Sequence, residues 1–294
     1  MKVIRQRKMK NLFFYFALIS SSLVVILPLL LVFIFLLQKG GASLSLDFFL
    51  NNPKPVGETG GGMRHAILGS FYMVGLGSFV AVPLGLLCGI YLSEFGKGKI
   101  ANSLRFTIDL LTGVPSIVVG IFSYLIFVVT MKSFSAMAGA FALSIIILPI
   151  VTRTTEEILK LIPRHVKEAG LALGLPRWKV ILFIVVKGSR SSLMTGIILA
   201  ISRAAGETAP LLFTAFGSMY LSYSPTEPMA SLPVQIYNYA ISPYDDWQRQ
   251  AWAGAFTLII IVLGLNLFAR FFFTRKTIYR AIKNKLFKKN EDRT

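Results

Sequence analysis

The chain of 294 residues is 54% hydrophobic and only 15% charged, with a formal net charge of +18. A soluble protein carries about 25% charged residues, and several apolar runs here exceed the ~18 residues that mark a membrane-crossing candidate. A soluble globular domain is therefore excluded, and an all-α, polytopic membrane protein is expected. The basic excess does not point to nucleic acid, because it is segregated. Five basic residues precede the first apolar run, three lie at Lys97, Lys99 and Arg105, eight between Arg153 and Arg190, and nine from Arg270 onward. The alternate loops hold only Lys39, Lys54, Arg64, Lys132 and Arg249. That asymmetry is the positive-inside pattern, and it sets orientation. The single cysteine, Cys88, lies in an apolar run and can build neither a disulfide framework nor a metal site.

In chain order, residues 1–11 form a basic cytoplasmic N-terminus and 12–37 a first transmembrane anchor. This run is too long for a cleaved signal, whose apolar region is about 7–15 residues. Residues 38–64, with NNPKP and ETGGGM, carry turn chemistry and form an external loop. The second span, His65 to Leu92, is rich in glycine. Gly85 and Gly89 share a helix face and invite the close approach of a neighbouring backbone. After the cytoplasmic turn SEFGKGK, a third span is expected from Leu104 to Thr130. It contains Thr112-Gly113-Val114-Pro115-Ser116, where Pro115 weakens the helix at mid-depth. Such a point forms either a packed kink or a cavity wall. Arg105 and Asp109, four residues apart, are expected to pair at its cytoplasmic end, and His65 and His165 to lie solvated or interfacial at loop edges.

A fourth span covers Ala136 to Val151, followed by a cytoplasmic segment at 152–192. The fifth span runs from Leu193 to Phe216, an external loop from Gly217 to Gln250, and the sixth span from Ala251 to Phe273. Trp247 and Trp252 suit a headgroup-level belt. Residues 274–294 form a basic cytoplasmic tail. Six spans place both basic termini on one side. No long internal repeat is visible.

In the cytoplasmic segment, Pro163 suits the start of a short helix in which Val166, Ala169 and Leu173 share an apolar face. Gly174 fits its stop, and Pro176 starts a second helix with Trp178, Ile181, Leu182 and Val185 on one face. Two helices meeting at a Gly-Leu-Pro corner either dock in a partner's groove or lie flat on lipid. In the fifth span, Arg203 is a charge about ten residues deep, where burial in lipid costs about 2.5–3.5 kcal/mol or more. Glu207 is expected on the same helix face, one turn on. A cation preceding its carboxylate is the weaker helical order, so stability alone explains the pair poorly. Pro210 removes a hydrogen bond opposite the carbonyl of Gly206.

Glu168-Ala169-Gly170, followed by Gly174 and Ile184, resembles the EAA loop of ATP-binding-cassette (ABC) importer permeases. Gly170 stands where the motif usually has alanine, and Lys187 where many members have proline. The runs GGGMRHAILGS, PLGLLCGIYLSEF, LLTGVPSIVVGIF, FSAMAGAFALSIIILPIVTRTTEE and ISRAAGETAPLLFTA resemble PstA-type permeases of phosphate importers across nearly all of residues 60–270. The resemblance implies a type I ABC importer permease fold with a core at 65–273, in a bacterial inner membrane. It implies a sister permease (PstC-type), two ATPase subunits (PstB-type) and an external phosphate-binding protein (PstS-type). It makes Glu168, Ala169, Gly170 and Gly174 the ATPase-coupling residues, and phosphate the passenger. Arg203 and Glu207 are then expected to line its path, the guanidinium fork holding two phosphate oxygens. No G-x-x-x-x-G-K-[ST] run occurs in the chain, so no P-loop is present and a partner must use the ATP and Mg. A permease for another oxyanion, sulphate or molybdate, is the alternative within this class. An ATP-independent secondary transporter fits less well, because the inverted repeat of that class is missing. A membrane enzyme fits less well still, for want of a nucleophile with a nearby base.

Overall fold

The structure, a computed structural model, describes the backbone of residues 2–55, 58 and 60–291 and the side chains of residues 7–55, 58 and 60–271. The tail expected at 274–294, and residues 1–6 of the basic N-terminus, therefore lie outside the described side chains. Among the described residues every regular element is helical. They are α1 (Lys2–Ala42), α2 (Leu46–Leu50), α3 (Arg64–Glu94), α4 (Lys99–Gly113), α5 (Ser116–Met131), α6 (Ala136–Lys160), α7 (Arg164–Ala172), α8 (Arg177–Ala205), α9 (Ala209–Thr214), α10 (Leu232–Ala240) and α11 (Asp245–Glu291). Five helices, α1, α3, α6, α8 and α11, are long and apolar enough to cross a bilayer, and α4 with α5 makes a sixth if the bent pair is one span. A helix that is apolar all round needs either a protein core or lipid. Residues 12–34 of α1 are exposed on every side within this chain, which fits lipid or a neighbouring subunit.

The helices pack through small residues rather than large ones. Gly77, Ala81, Gly85 and Gly89 recur every four positions on α3 and are all buried. A Cβ at Gly77 would sit 2.7 Å from the carbonyl oxygen of Ala140, and one at Gly89 would sit 2.7 Å from that of Thr152. The glycine face anticipated at 85 and 89 thus meets α6, whose apolar stretch is mostly buried while those of α3, α8 and α11 mostly face outward. Without a hydrophobic drive between helices in lipid, this backbone-to-backbone approach supplies the dispersion contact that holds the pair. Gly40 plays the same part where α1 crosses α11, against Trp252 and Phe256.

The external end is pinned by its loop. Ser135 caps α6 by accepting from the Ala138 N–H at 3.2 Å, and the next two free N–H groups, of Ala136 and Met137, donate to the carbonyls of Glu227 (2.9 Å) and Pro225 (2.8 Å). The Leu232 N–H donates to the Ser70 hydroxyl at 2.7 Å, tying the start of α10 to α3. Trp247 stacks on the buried Tyr239 ring, with centroids 4.6 Å apart. Of the two settings expected for His65, solvated or interfacial, the solvated one is not observed. It is 1% exposed, because Ala230, the start of α10 and the start of α11 close over the beginning of α3.

Two spans are interrupted at or just before the prolines that the sequence marked as weak points. The third bends by 102° between Gly113 and Ser116. Pro115 lacks an N–H and its ring blocks the carbonyl one turn back. It also forces Val114 out of the helical region, to φ −69° and ψ 129°. The result is a break and not a kink. The fifth runs from Arg177, well inside the segment expected at 152–192, and stops at Ala205. Gly206 to Thr208 are irregular, and Pro210 opens the short α9 in its first turn. The fourth helix likewise continues past Val151 to Lys160. What projects between α6 and α8 is thus only α7 and its two flanking turns.

Candidate functional site

The two breaks face one another. A cavity of about 270 Å³ is lined by residues 111–116 at the α4–α5 break, by Val119, by Ile146, Pro149 and Ile150 of α6, and by Arg203 and Glu207 at the α8–α9 break. This is far more than the ~15 Å³ that admits one water. Broken backbone in a membrane-spanning segment is tolerated where it lines such a space. Of the two readings open for the 112–116 run, the cavity wall is therefore the one observed. The wall is held in register by Gly120 of α5, where a Cβ would lie 2.6 Å from the Cα of Pro210. That contact ties one break directly to the other.

Arg203 lies in the last turn of α8 with its side chain 60% exposed, and its Nε is 3.9 Å from Oε1 of Glu207, whose side chain is 16% exposed. A cation there faces the partial negative end of α8, which offsets part of its burial. The carboxylate is no longer on the helix that carries Arg203, because the chain has already left it at Gly206. At 3.9 Å the two groups feel each other but make no hydrogen bond. The guanidinium therefore keeps its donors for something in the cavity. Ser116 begins α5 at the same wall, so the first N–H groups of that helix add partial positive charge there. The arrangement suits a small anion. The α6 wall was not foreseen from the sequence; its one signal was Pro149 in the middle of an apolar span.

The second assembly is the corner at the other end of α8. Gly174 takes φ +79°, the left-handed conformation that ends α7 and that only glycine adopts freely. Glu168 and Ala169 are exposed while Gly170 is buried. A Cβ at Gly170 would lie 2.7 Å from Cδ1 of Ile184 and 3.1 Å from Cγ2 of Val180, which explains glycine at the position where alanine was expected: α7 lies unusually close on α8. Around it Leu161, Leu173 and Trp178 are exposed, Leu173 by 82%. The structure thus brings Glu168, Ala169, Gly170 and Gly174 together at one corner, far along α8 from Arg203 and Glu207.

A third group went unread in the sequence. Glu156 of α6 is 1% exposed and accepts from Arg105 Nε at 2.7 Å and from Lys160 Nζ at 2.5 Å, with Arg153 at 3.5 Å. Arg105 does not pair with Asp109 as expected; Asp109 lies instead 3.9 Å from Arg153. The expected i, i+4 pair loses because α6 presents a buried carboxylate on the inner side of α4, where burial strengthens the attraction. Among the described residues no three His, Cys, Asp or Glu side chains are grouped to hold a metal ion.

Comparison with known proteins places the chain in a family. Residues 81–278 match the model of the binding-protein-dependent transport system inner membrane component family. The chain is 45% identical over 242 residues to a phosphate transport system permease protein PstA of Haemophilus influenzae, covering 82% of this chain and 86% of that one. It is 46% identical over 239 residues to the PstA of Yersinia pestis, covering 81% of both. It is 40% identical over 221 residues to PstA 1 of Mycobacterium tuberculosis, covering 74% of this chain and 73% of that one. Its fold is similar to that of a chain from the MetNI methionine ABC transporter, with a TM-score of 0.54 at 18% identity, covering 75% of this chain and 94% of that one. The fold is thus that of a type I ABC importer permease, and the chain is a multi-pass membrane protein. On these grounds it belongs to the binding-protein-dependent transport system inner membrane component family, and its relatives within that family are PstA permeases.

Proposed function

We propose that this chain is a permease subunit of an ATP-driven importer of inorganic phosphate, forming half of the translocation pathway in a bacterial inner membrane with both termini cytoplasmic. Its partners are a PstC-type sister permease, two PstB-type ATPase subunits and a PstS-type external phosphate-binding protein. The chain binds no cofactor; ATP and Mg belong to the ATPase. The substrate class rests on the identity with PstA permeases across four-fifths of the chain. The mechanism rests on one observation, that both helix breaks open on a cavity holding a loosely paired Arg203.

Phosphate delivered from outside meets Arg203, whose planar fork can bond two of its oxygens. Glu207, close enough to repel a dianion and to orient the guanidinium, keeps the affinity low enough for release. ATP closes the ATPase pair. The exposed faces of Glu168 and Ala169, set by the buried Gly170 and the Gly174 turn, carry that movement into α8, whose far end bears Arg203. A pathway charge poised at a helix break can change its exposure when either segment moves.

Proteoliposomes holding the full complex test this reading. Uptake of radiolabelled phosphate should require ATP, and excess sulphate or molybdate should not compete. Glu168→Arg should release the ATPase subunits from the purified complex. Competition by sulphate would favour the other oxyanion reading, and accumulation by vesicles holding this chain alone would contradict ATP coupling.

A further inference from the structure

The corner at Gly174 is joined to the cavity by a second route, separate from α8. Lys167 of α7 donates to Oε1 of Glu94 at 2.5 Å, and the Glu94 side chain is only 7% exposed. Arg177, at the start of α8, donates to the backbone carbonyl of the same Glu94 at 3.0 Å and lies 4.5 Å over the ring of Phe95. Both arms of the corner therefore grip the last turn of α3. That turn is in turn gripped from the opposite side. Arg105 of α4 donates to the carbonyls of Leu92 (2.9 Å) and Gly96 (3.1 Å) while holding Glu156. The Leu92 carbonyl is one of those that a helix end leaves free, and the Gly96 carbonyl lies in the turn just beyond it. Gly96 makes room for both partners of this contact: a Cβ there would lie 2.2 Å from the Leu92 carbonyl oxygen and 2.7 Å from the guanidinium. From Arg105, α4 runs without interruption to Gly113 and the broken wall of the cavity.

We infer that the α3–α4 turn, gripped by Lys167 and Arg177 through Glu94 and by Arg105 through Leu92 and Gly96, relays displacement of α7 to the α4–α5 break. Glu94 and Arg105 are then positioning residues for transport. The inference rests on the importer reading above, with α7 as the element the ATPase moves. It adds that α8 alone is insufficient. Lys167 and the buried carboxylate of Glu94 form a close charge pair, so a shift of α7 that keeps the pair intact drags the end of α3 against α4. α4 is a rigid rod of 15 residues, so a rotation at its cytoplasmic end appears at Thr112 and Gly113. A relay built of charge pairs and rigid helices with discrete arrangements is how such coupling is carried.

The test uses the complete complex in proteoliposomes and reads ATP hydrolysed per radiolabelled phosphate imported. Glu94→Gln removes the ion pair with Lys167 from the α3 side, leaving Arg177 on the backbone carbonyl, without touching the exposed face of α7. ATPase subunits should still co-purify and hydrolyse ATP, while the ATP cost per phosphate rises about tenfold, a usual size for coupling between sites. Lys167→Gln cuts the same bond from the other side and should raise the ratio similarly. The pair Glu94→Lys with Lys167→Glu should return the ratio towards the wild type, which a role in folding alone does not predict. Gly96→Ala, which crowds Arg105, should raise the ratio as well. An unchanged ratio in Glu94→Gln, or a reversed pair no better than either reversal alone, would overturn the relay. Failure of the wild-type complex to couple ATP to phosphate would instead overturn the importer reading.

Discussion

Glu156 and Arg203 are both charges held among apolar helices, yet their surroundings are opposite. Glu156 is sealed, with Arg105 at 2.7 Å and Lys160 at 2.5 Å. Arg203 has only Glu207 near it, at 3.9 Å, and more than half of its side chain is open. The first group is neutralised by close cations on one of its oxygens and fixes where α4, α3 and α6 sit. The second leaves donors free at the end of a helix that stops short, beside a cavity. A buried charge closely countered by cations within the chain is scaffolding; one left loosely paired at a backbone break is available to a passenger.

The comparison can be broken most sharply at Arg203. Arg203→Gln should lower phosphate uptake about a hundredfold or more, the scale of removing a charged partner from a bound anion, while the complex still assembles. Glu156→Gln should do the reverse. It leaves Arg105 and Lys160 around a neutral amide, so the purified complex should lose about 3 kcal/mol of stability and melt earlier. Its transport per assembled complex should fall far less than that of Arg203→Gln. Glu207→Gln sharpens the contrast within the cavity: apparent phosphate affinity should tighten by about tenfold, or ~1.4 kcal/mol, with slower turnover, because release loses its repulsion. If Glu207→Gln instead matched Arg203→Gln, the two would be a structural pair. The smallest effect is expected at the corner. Gly174→Ala forces a Cβ into the left-handed region and should cost about 1 kcal/mol, seen as a modest loss of co-purifying ATPase.

Much of this was legible in the sequence because membrane helices obey few rules. Run length and charge bias gave the spans, and the glycine spacing of α3 gave its packing face. The Gly174 corner was readable because a helix stop followed by proline leaves little choice. Arg203 stood out because lipid makes a charge expensive. Three things were hidden. Pro115 and Pro210 marked weak points, but nothing local distinguishes a kink from a 102° break. That depends on whether another segment covers the freed backbone, here at Gly120 and Pro210. The Arg105 partner was misread because i, i+4 spacing is visible in a sequence, whereas Glu156, 51 residues away, is not. The burial of His65 was hidden for the same reason: an end of a span gives no sign that a distant segment will close over it.

The account turns on Arg203 and the 112–116 run facing one phosphate-filled space. The direct measurement is thiol labelling of Ser116→Cys, made in a Cys88→Ser background so that it is the chain's sole cysteine, in the assembled complex. Phosphate should slow labelling in a saturable way, sulphate should not, and Arg203→Gln should remove the protection. Labelling of that cysteine at the same rate with and without phosphate would contradict the account.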